Sequence, residues 1–445
     1  MAELLIKQYY NEGQAYFQKR AERDIKENRM GDFTVRFLEK GGKPIAGRKV
    51  RLRHKTHDFD FGCNFFMFKQ YDTPEKNHRY EEEWKKLFNT AVVPLYWEGT
   101  EPEEGCLCYS ADAPKDVYRR PPADCVVDWC DKNGVRKKGH PLFWHEFISE
   151  WLPEKWEDLY PLIEKRFQEI SGRYANRIPV FDCVNEPARV WNVDVEHKND
   201  NWKHVVPPND YCKTLFDLAR EYFKENELIL NEAVGASFIE FHGRYSAYYL
   251  NIKDLLSRGA TIDRIGFQCH TSNSIKYRNV YDASRFYDVF DTYADFGKPL
   301  VLSEVSVPSK FGDEDDEEFQ EAAANMLYSI CFSHKSVDGV FWWNLTDDGI
   351  LSTKRKATGE NLPSAGLIDG DYREKLAYKE IDRLINHEWR TDVTLTTDRD
   401  GKVSFRGFNG EYEVLFDGKT VSDNKTMLVH LSSETGEYEK TLRED

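Results

Sequence analysis

No apolar run in the 445 residues approaches the ~18 needed to cross a bilayer, so nothing in the sequence reads as a membrane-spanning helix. Positive charge is in deficit as well. There are 62 Lys and Arg against 78 Asp and Glu, a formal net charge of −16. Such a surface repels nucleic-acid phosphates and acidic membranes, so neither is an expected partner. A disulfide framework is also lacking: nine cysteines, an odd number spread from Cys63 to Cys331, suit a reducing compartment. Their closest group, Cys106, Cys108, Cys125 and Cys130, has Cys-x-Cys and Cys-x4-Cys spacings that fit a zinc knuckle poorly, and neither metal nor cofactor is expected. The N-terminus carries an early acid and only a short apolar stretch, unlike a secretory leader, and a cytoplasmic location is expected. No short internal repeat competes with a globular reading, and 14% aromatic residues exclude a disordered chain.

What is present is an eightfold alternation. Apolar runs at 61–66, 89–97, 135–144, 178–186, 227–233, 264–271, 299–307 and 337–346 read as strands, with amphipathic helical patterns between them such as 156–174 and 208–225. Eight strands each followed by a helix predict a (β/α)8 TIM barrel over residues 55–388. Residues 1–54 predict an amphipathic helix over 3–29, including Leu4, Leu5, Ile6, Tyr9, Tyr10 and Tyr16, and then a β-hairpin of 33–38 with 48–54. Residues 389–445 alternate around Asp-Gly and Asn-Gly turns and predict a small accessory β-sandwich, which the N-terminal hairpin would complete.

Nearly every predicted barrel strand ends in polar or aromatic residues. His140 and Trp144 close the third, Asn185 and Glu186 the fourth, and Asn231 and Glu232 the fifth. Gln268 and His270 close the sixth, Glu304 the seventh, Trp343 and Asn344 the eighth, and Asn64 the first. Strand C-termini in a barrel share one face, and a carboxylate buried there is costly unless a pocket uses it. Glu186 and Glu304 each end an apolar run, and two carboxylates over one barrel mouth are what glycosidic-bond cleavage requires.

Gly139-His-Pro-Leu-Phe-Trp-His145, Asp182-Cys-Val-Asn-Glu186, Gly266-Phe-Gln-Cys-His270, Ser303-Glu304 and Phe341-Trp-Trp-Asn-Leu-Thr-Asp347 occur in this order. In them the chain resembles glycoside hydrolase family 10, the endo-β-1,4-xylanase family, over residues 55–388. The resemblance implies a retaining double displacement on a β-linked oligo- or polysaccharide. Glu304 would be the nucleophile and Glu186 the acid/base. Asn185 would donate to the sugar 2-hydroxyl, and His140 and Gln268 would bind other hydroxyls of the sugar at subsite −1. His270 would hold Glu304 in line, and Trp144 and Trp343 would wall the cleft.

The chain also departs from the family's pattern. The Glu-Asn and Lys that grip the −2 sugar are replaced by the shorter Val93-Pro-Leu-Tyr-Trp-Glu-Gly-Thr100, where Tyr96, Trp97 and Glu98 are candidate substitutes and Trp97 offers a stacking surface. Ser306 stands where an Asp supports the histidine, and Leu351 where a Trp lids the −1 site. The segment from Cys106 to Pro122 reads as an extra loop whose Arg119 and Arg120 are read first as solvated loop charges and alternatively as partners of an acidic substituent such as a uronic acid. Alternative readings are a related β-glycosidase with another glycone, a carbohydrate-binding pseudo-enzyme, and a metal-dependent amidohydrolase. The last wants His-x-His on the first strand, and 61–66 contains no His.

Overall fold

A computed structural model of the chain describes residues 16–112, 121–188, 205–271, 281–311, 314–347, 364–416, 419–420, 427–433 and 436–441. Leu4 to Tyr10, Arg119, Arg120 and Leu351, which entered the expectations above, lie outside them.

The eight expected barrel strands form. They are strand one (Asp60–Asn64), two (Thr90–Pro94), three (Arg136–His140, extended by Phe143–Trp144), four (Val180–Asn185), five (Glu227–Glu232), six (Arg264–His270), seven (Leu300–Ser306) and eight (Val337–Trp342). Every neighbouring pair is parallel, and the pairing of strand eight with strand one, Gly339 opposite Asp60, closes the cylinder. Strands buried on both faces need near-continuous apolar runs, as Leu-Val-Leu in strand seven and Leu-Ile-Leu in strand five supply. Helices follow the strands around the outside, among them Pro74–Leu87, Trp156–Tyr174, Tyr211–Tyr222 and Glu317–Ser333. Thr73 and Asp316 cap two of them by accepting the N–H of Lys76 and Phe319.

Inside the cylinder, Val92, Val180, Ile229, Val301 and Phe341 form the floor beneath Trp343, Trp144 and Tyr96. Gly62 makes room for this layer: a Cβ there would lie 2.0 Å from the Phe341 ring. The interior is packed at this layer, and the site lies above it, at the C-terminal ends of the strands.

The terminal module is a two-sheet sandwich. The expected hairpin does not form, because its two strands enter different sheets. Met30–Leu38 lies between Lys402–Phe408 and Glu437–Thr441, while Lys49–His57 lies between Asp392–Thr396 and Gly410–Phe416. Only a tight turn at 39–43 is hairpin-like, with Leu38 bridged to Pro44. The reason is burial. Phe33, Val35 and Phe37 on one strand and Val50 and Leu52 on the other are all core-facing, so the two strands meet across the core, not edge to edge.

Candidate active site

The end of strand four carries the pivotal backbone feature. In a regular strand Asn185 and Glu186 would point to opposite faces. Glu186 instead adopts a left-handed conformation, φ 53°, which costs a non-glycine residue about 1–2 kcal/mol. The kink turns both side chains toward one pocket: the Gln268 amide donates to Glu186 Oε1 at 3.0 Å and to Asn185 Oδ1 at 3.3 Å. The following residue, Pro187, fixes its own φ and disfavours a helical conformation at Glu186, so the Asn-Glu-Pro sequence suits a chain leaving the sheet here.

Glu304 is buried and held by protein donors. Asn231 Nδ2 donates to its Oε1 at 2.9 Å and His270 Nε2 to its Oε2 at 3.0 Å, and His140 Nδ1 lies 3.9 Å from Oε1. Burial alone would push this carboxyl up. The nearby charges of His140, His270 and Lys138, with the His270 hydrogen bond, reverse the direction and hold it below the usual carboxylate range. Glu304 is thus ionised at neutral pH, poised as a nucleophile must be.

Asn231 ties the two carboxylates into one network. Its amide also donates to Asn185 Oδ1 at 2.8 Å, and its own Oδ1 accepts the Ser303 hydroxyl at 2.5 Å. A continuous path runs Glu186–Gln268–Asn185–Asn231–Glu304. With its oxygen committed, the Asn185 amide nitrogen is buried with no acceptor among the described residues, as are the indole N–H groups of Trp144 and Trp343. Buried donors left open in this way are what polyhydroxylated ligands satisfy.

The histidines are oriented from behind. His270 Nδ1 meets the Ser306 hydroxyl at 2.9 Å, while its Nε2 donates to Glu304. His140 Nδ1 donates to Asp182 at 2.6 Å, and its Nε2 meets the Tyr96 hydroxyl at 3.1 Å. Asp182 pairs with Lys138 in turn. Burial would raise the Asp182 carboxyl, but Lys138 and His140 keep it below its ordinary value. Trp343 stands edge-on between both histidine rings, at 5.4 and 5.9 Å.

Glu186, Glu304, Asn185, Gln268, His270, His140 and Trp343 are therefore brought together. Trp144 is beside them, packed on Phe147 and Tyr96 at 4.7 and 6.1 Å. Two expected residues are employed otherwise. Asn64 donates to Asn344 Oδ1 at 2.9 Å. Trp97 is buried, its N–H bonded to Glu101 at 3.2 Å and one face of its ring under Arg166. Tyr96, its neighbour, reaches the site instead. Asn231, Ser303, Asp182 and Lys138 were given no role from the sequence, where Tyr96 was one of three candidate substitutes; the polar end of strand five was the visible hint for Asn231.

The sequence profile of glycosyl hydrolase family 10 matches residues 63–384. Among curated relatives, the anti-sigma-I factor RsgI6 of Acetivibrio thermocellus is 23% identical over 88% of this chain and 45% of its own length. Endo-1,4-beta-xylanase B of Thermotoga neapolitana is 25% identical over 78% and 94%. The chain thus spans nearly all of the second but under half of the first. The structure of xylanase 10B from Thermotoga petrophila in complex with xylobiose superposes with a TM-score of 0.55 at 20% identity, over 74% of this chain and 94% of that one, a likeness of fold. Barrel, strand-end glutamates and profile agree, and the chain belongs to glycosyl hydrolase family 10.

Proposed function

We propose that the protein is a retaining glycoside hydrolase that cleaves β-1,4-xylosidic bonds in xylan or xylo-oligosaccharides. In the first step a Glu304 oxygen attacks the anomeric carbon as the glycosidic C–O bond breaks, and Glu186 gives its proton to the departing oxygen. In the second, Glu186 takes a proton from water, whose oxygen displaces Glu304 and restores the carboxylate. The open Asn185 amide serves the 2-hydroxyl, and Trp144 and Trp343 supply apolar faces with indole donors at their edges.

The observation that carries this reading is the hold on the nucleophile: Glu304 is kept ionised by two direct donors and nearby positive charge, and one hydrogen-bonded network joins it to Glu186. The curated relative named as a xylanase, matched over 94% of its length, supports the choice of bond.

The test is a substrate panel with two variants. Glu304→Ala abolishes turnover of every glycoside. Glu186→Ala lowers turnover of xylo-oligosaccharides by roughly 10²–10⁴-fold, while an aryl β-xyloside with a good leaving group is largely spared in its first step. Equal losses on both substrates would remove Glu186 from the acid/base role. A preference for β-glucans or aryl β-glucosides over their xylosyl counterparts would overturn the xylosidic specificity and leave the two-carboxylate chemistry standing.

A further inference from the structure

Beyond the groups assigned above, one more buried carboxylate lies at the barrel mouth. Glu232, the last residue of strand five, is fully buried, and both its oxygens accept backbone N–H groups: Oε2 from Ala188 at 2.9 Å and Oε1 from Ala233 at 2.8 Å. The significance lies in where the ladder between strands four and five stops. Asn185 pairs with Asn231, and the Glu186 N–H still reaches the Asn231 carbonyl at 2.7 Å. Glu186 then turns left-handed, and Pro187 has no N–H to offer. Ala188 supplies the next donor on that chain, and the side chain of Glu232 accepts it in place of a carbonyl. The strained residue is thus held on both sides by strand five, through the Asn231 carbonyl before it and the Glu232 carboxylate after it.

We infer that Glu232 is a positioning residue for Glu186, clamping the left-handed turn that aims the Glu186 carboxyl into the cleft beside Asn185. This rests on the reading of Glu186 as acid/base. A carboxylate suits the task because it offers two acceptors and no donor, and because it strengthens both N–H bonds by its charge. A glutamine offers one acceptor oxygen, so one of the two backbone N–H groups loses its partner.

A positioning role makes a demand that a merely structural one does not. Misplacing a general acid hurts most where the departing oxygen needs its proton, and least where the leaving group is good. The experiment compares Glu232→Gln with the unaltered protein on a series of aryl β-xylosides of graded leaving-group ability and on xylobiose. The expected result is a loss of about tenfold or more in kcat/KM on xylobiose and the poorest leaving groups. On the best leaving groups the change stays within about threefold, so the dependence on leaving group steepens. Thermal melting is recorded alongside, and should Glu232→Gln fail to fold, Glu232→Asp, which retains both acceptors on a shorter arm, is put through the same series. Uniform loss across the series, or none, would overturn the inference. Absence of turnover by the unaltered protein on any glycoside would instead fall on the proposed function.

Discussion

Asn231 closes strand five, and its amide nitrogen serves acceptors on strand four beside it and on strand seven beyond strand six, Asn185 Oδ1 and Glu304 Oε1. Asn231→Asp keeps the shape and the acceptor for Ser303 but removes the donor and sets a second carboxylate against Glu304. Like charges about 3 Å apart in a buried site cannot both ionise easily, so the pKa of Glu304 rises from its lowered state. The nucleophile works only when ionised, and activity disappears as pH falls through its pKa. The acidic limb of the pH–kcat/KM profile is therefore expected to move to higher pH in the variant, with a loss of roughly a hundredfold near pH 6. A limb that stays in place would deny Asn231 any hold on the nucleophile. Residues such as Glu186, Glu304, Gln268 and His270 were legible in the sequence because each ends an apolar run, and a polar group there has few uses besides a site. The amide of Asn231 was not, and Tyr96 was visible only as one of three candidate substitutes, since their importance lies in which atom of another strand they meet. That depends on register, and a linear pattern does not carry it.

Elements were legible to the extent that their burial is local. A parallel barrel strand announces itself by being apolar on both faces, and all eight were readable for that reason. Alternation in 33–38 and 48–54 tells equally well that each strand has one buried face, but says nothing of which sheet it joins. The true partner of Met30 is Phe408, hundreds of residues away. Where the sandwich meets the barrel, this long-range assembly buries two imidazoles, His54 and His57, 4.4 Å apart among Phe408, Tyr412, Phe61 and Phe332. Burial, and then the charge of Arg390, pushes His54 down to about 3; burial, His54 and the charges of Arg390 and Arg136 hold His57 well below its ordinary value. In the unfolded chain a histidine takes up its proton near pH 6.5. Between that value and about 3, the unfolded state binds more protons than the folded one, so stability is whole above pH 6.5 and falls as the solution is acidified. His54 alone contributes about 1.4 kcal/mol per pH unit across that window. His54→Phe keeps a ring against Tyr412 and removes the titration. Denaturant unfolding at pH 7.5 and pH 5 should then show the variant gaining on the parent protein by about 2 kcal/mol at the lower pH. Parallel pH dependences would show that His54 contributes no titration across this range.

The whole molecule is built so that the barrel is enclosed in sequence by its own accessory module. Among the described residues, six of the twelve buried core residues of the sandwich, Phe33, Val35, Phe37, Ile45, Val50 and Leu52, precede the barrel, and the other six follow it. The N-terminal segment is pinned to the barrel on its way there, because Arg29 donates to the carbonyls of Phe332 and His334 and Asn28 to that of Ser333. Removing everything after Arg390 therefore does more than delete a small appendage. It strips both neighbours from each N-terminal strand and bares six apolar side chains on a segment still fastened to the barrel. Burial of such side chains is worth ~1.5–3 kcal/mol each, so the six together match the entire stability of an ordinary domain. Exposed strand edges with apolar faces also recruit other chains. The chain cut after Arg390 is expected to aggregate on expression, and adding residues 391–445 as a separate polypeptide during refolding should restore soluble protein and its glycoside turnover. A chain in which residues 30–57 are deleted as well should lose that tendency to aggregate, because no orphaned strand remains and the segment packed on the barrel is kept. If the cut chain stays monomeric and melts at the parent temperature, the two ends do not depend on one another, and the sandwich is a passenger on a self-sufficient barrel.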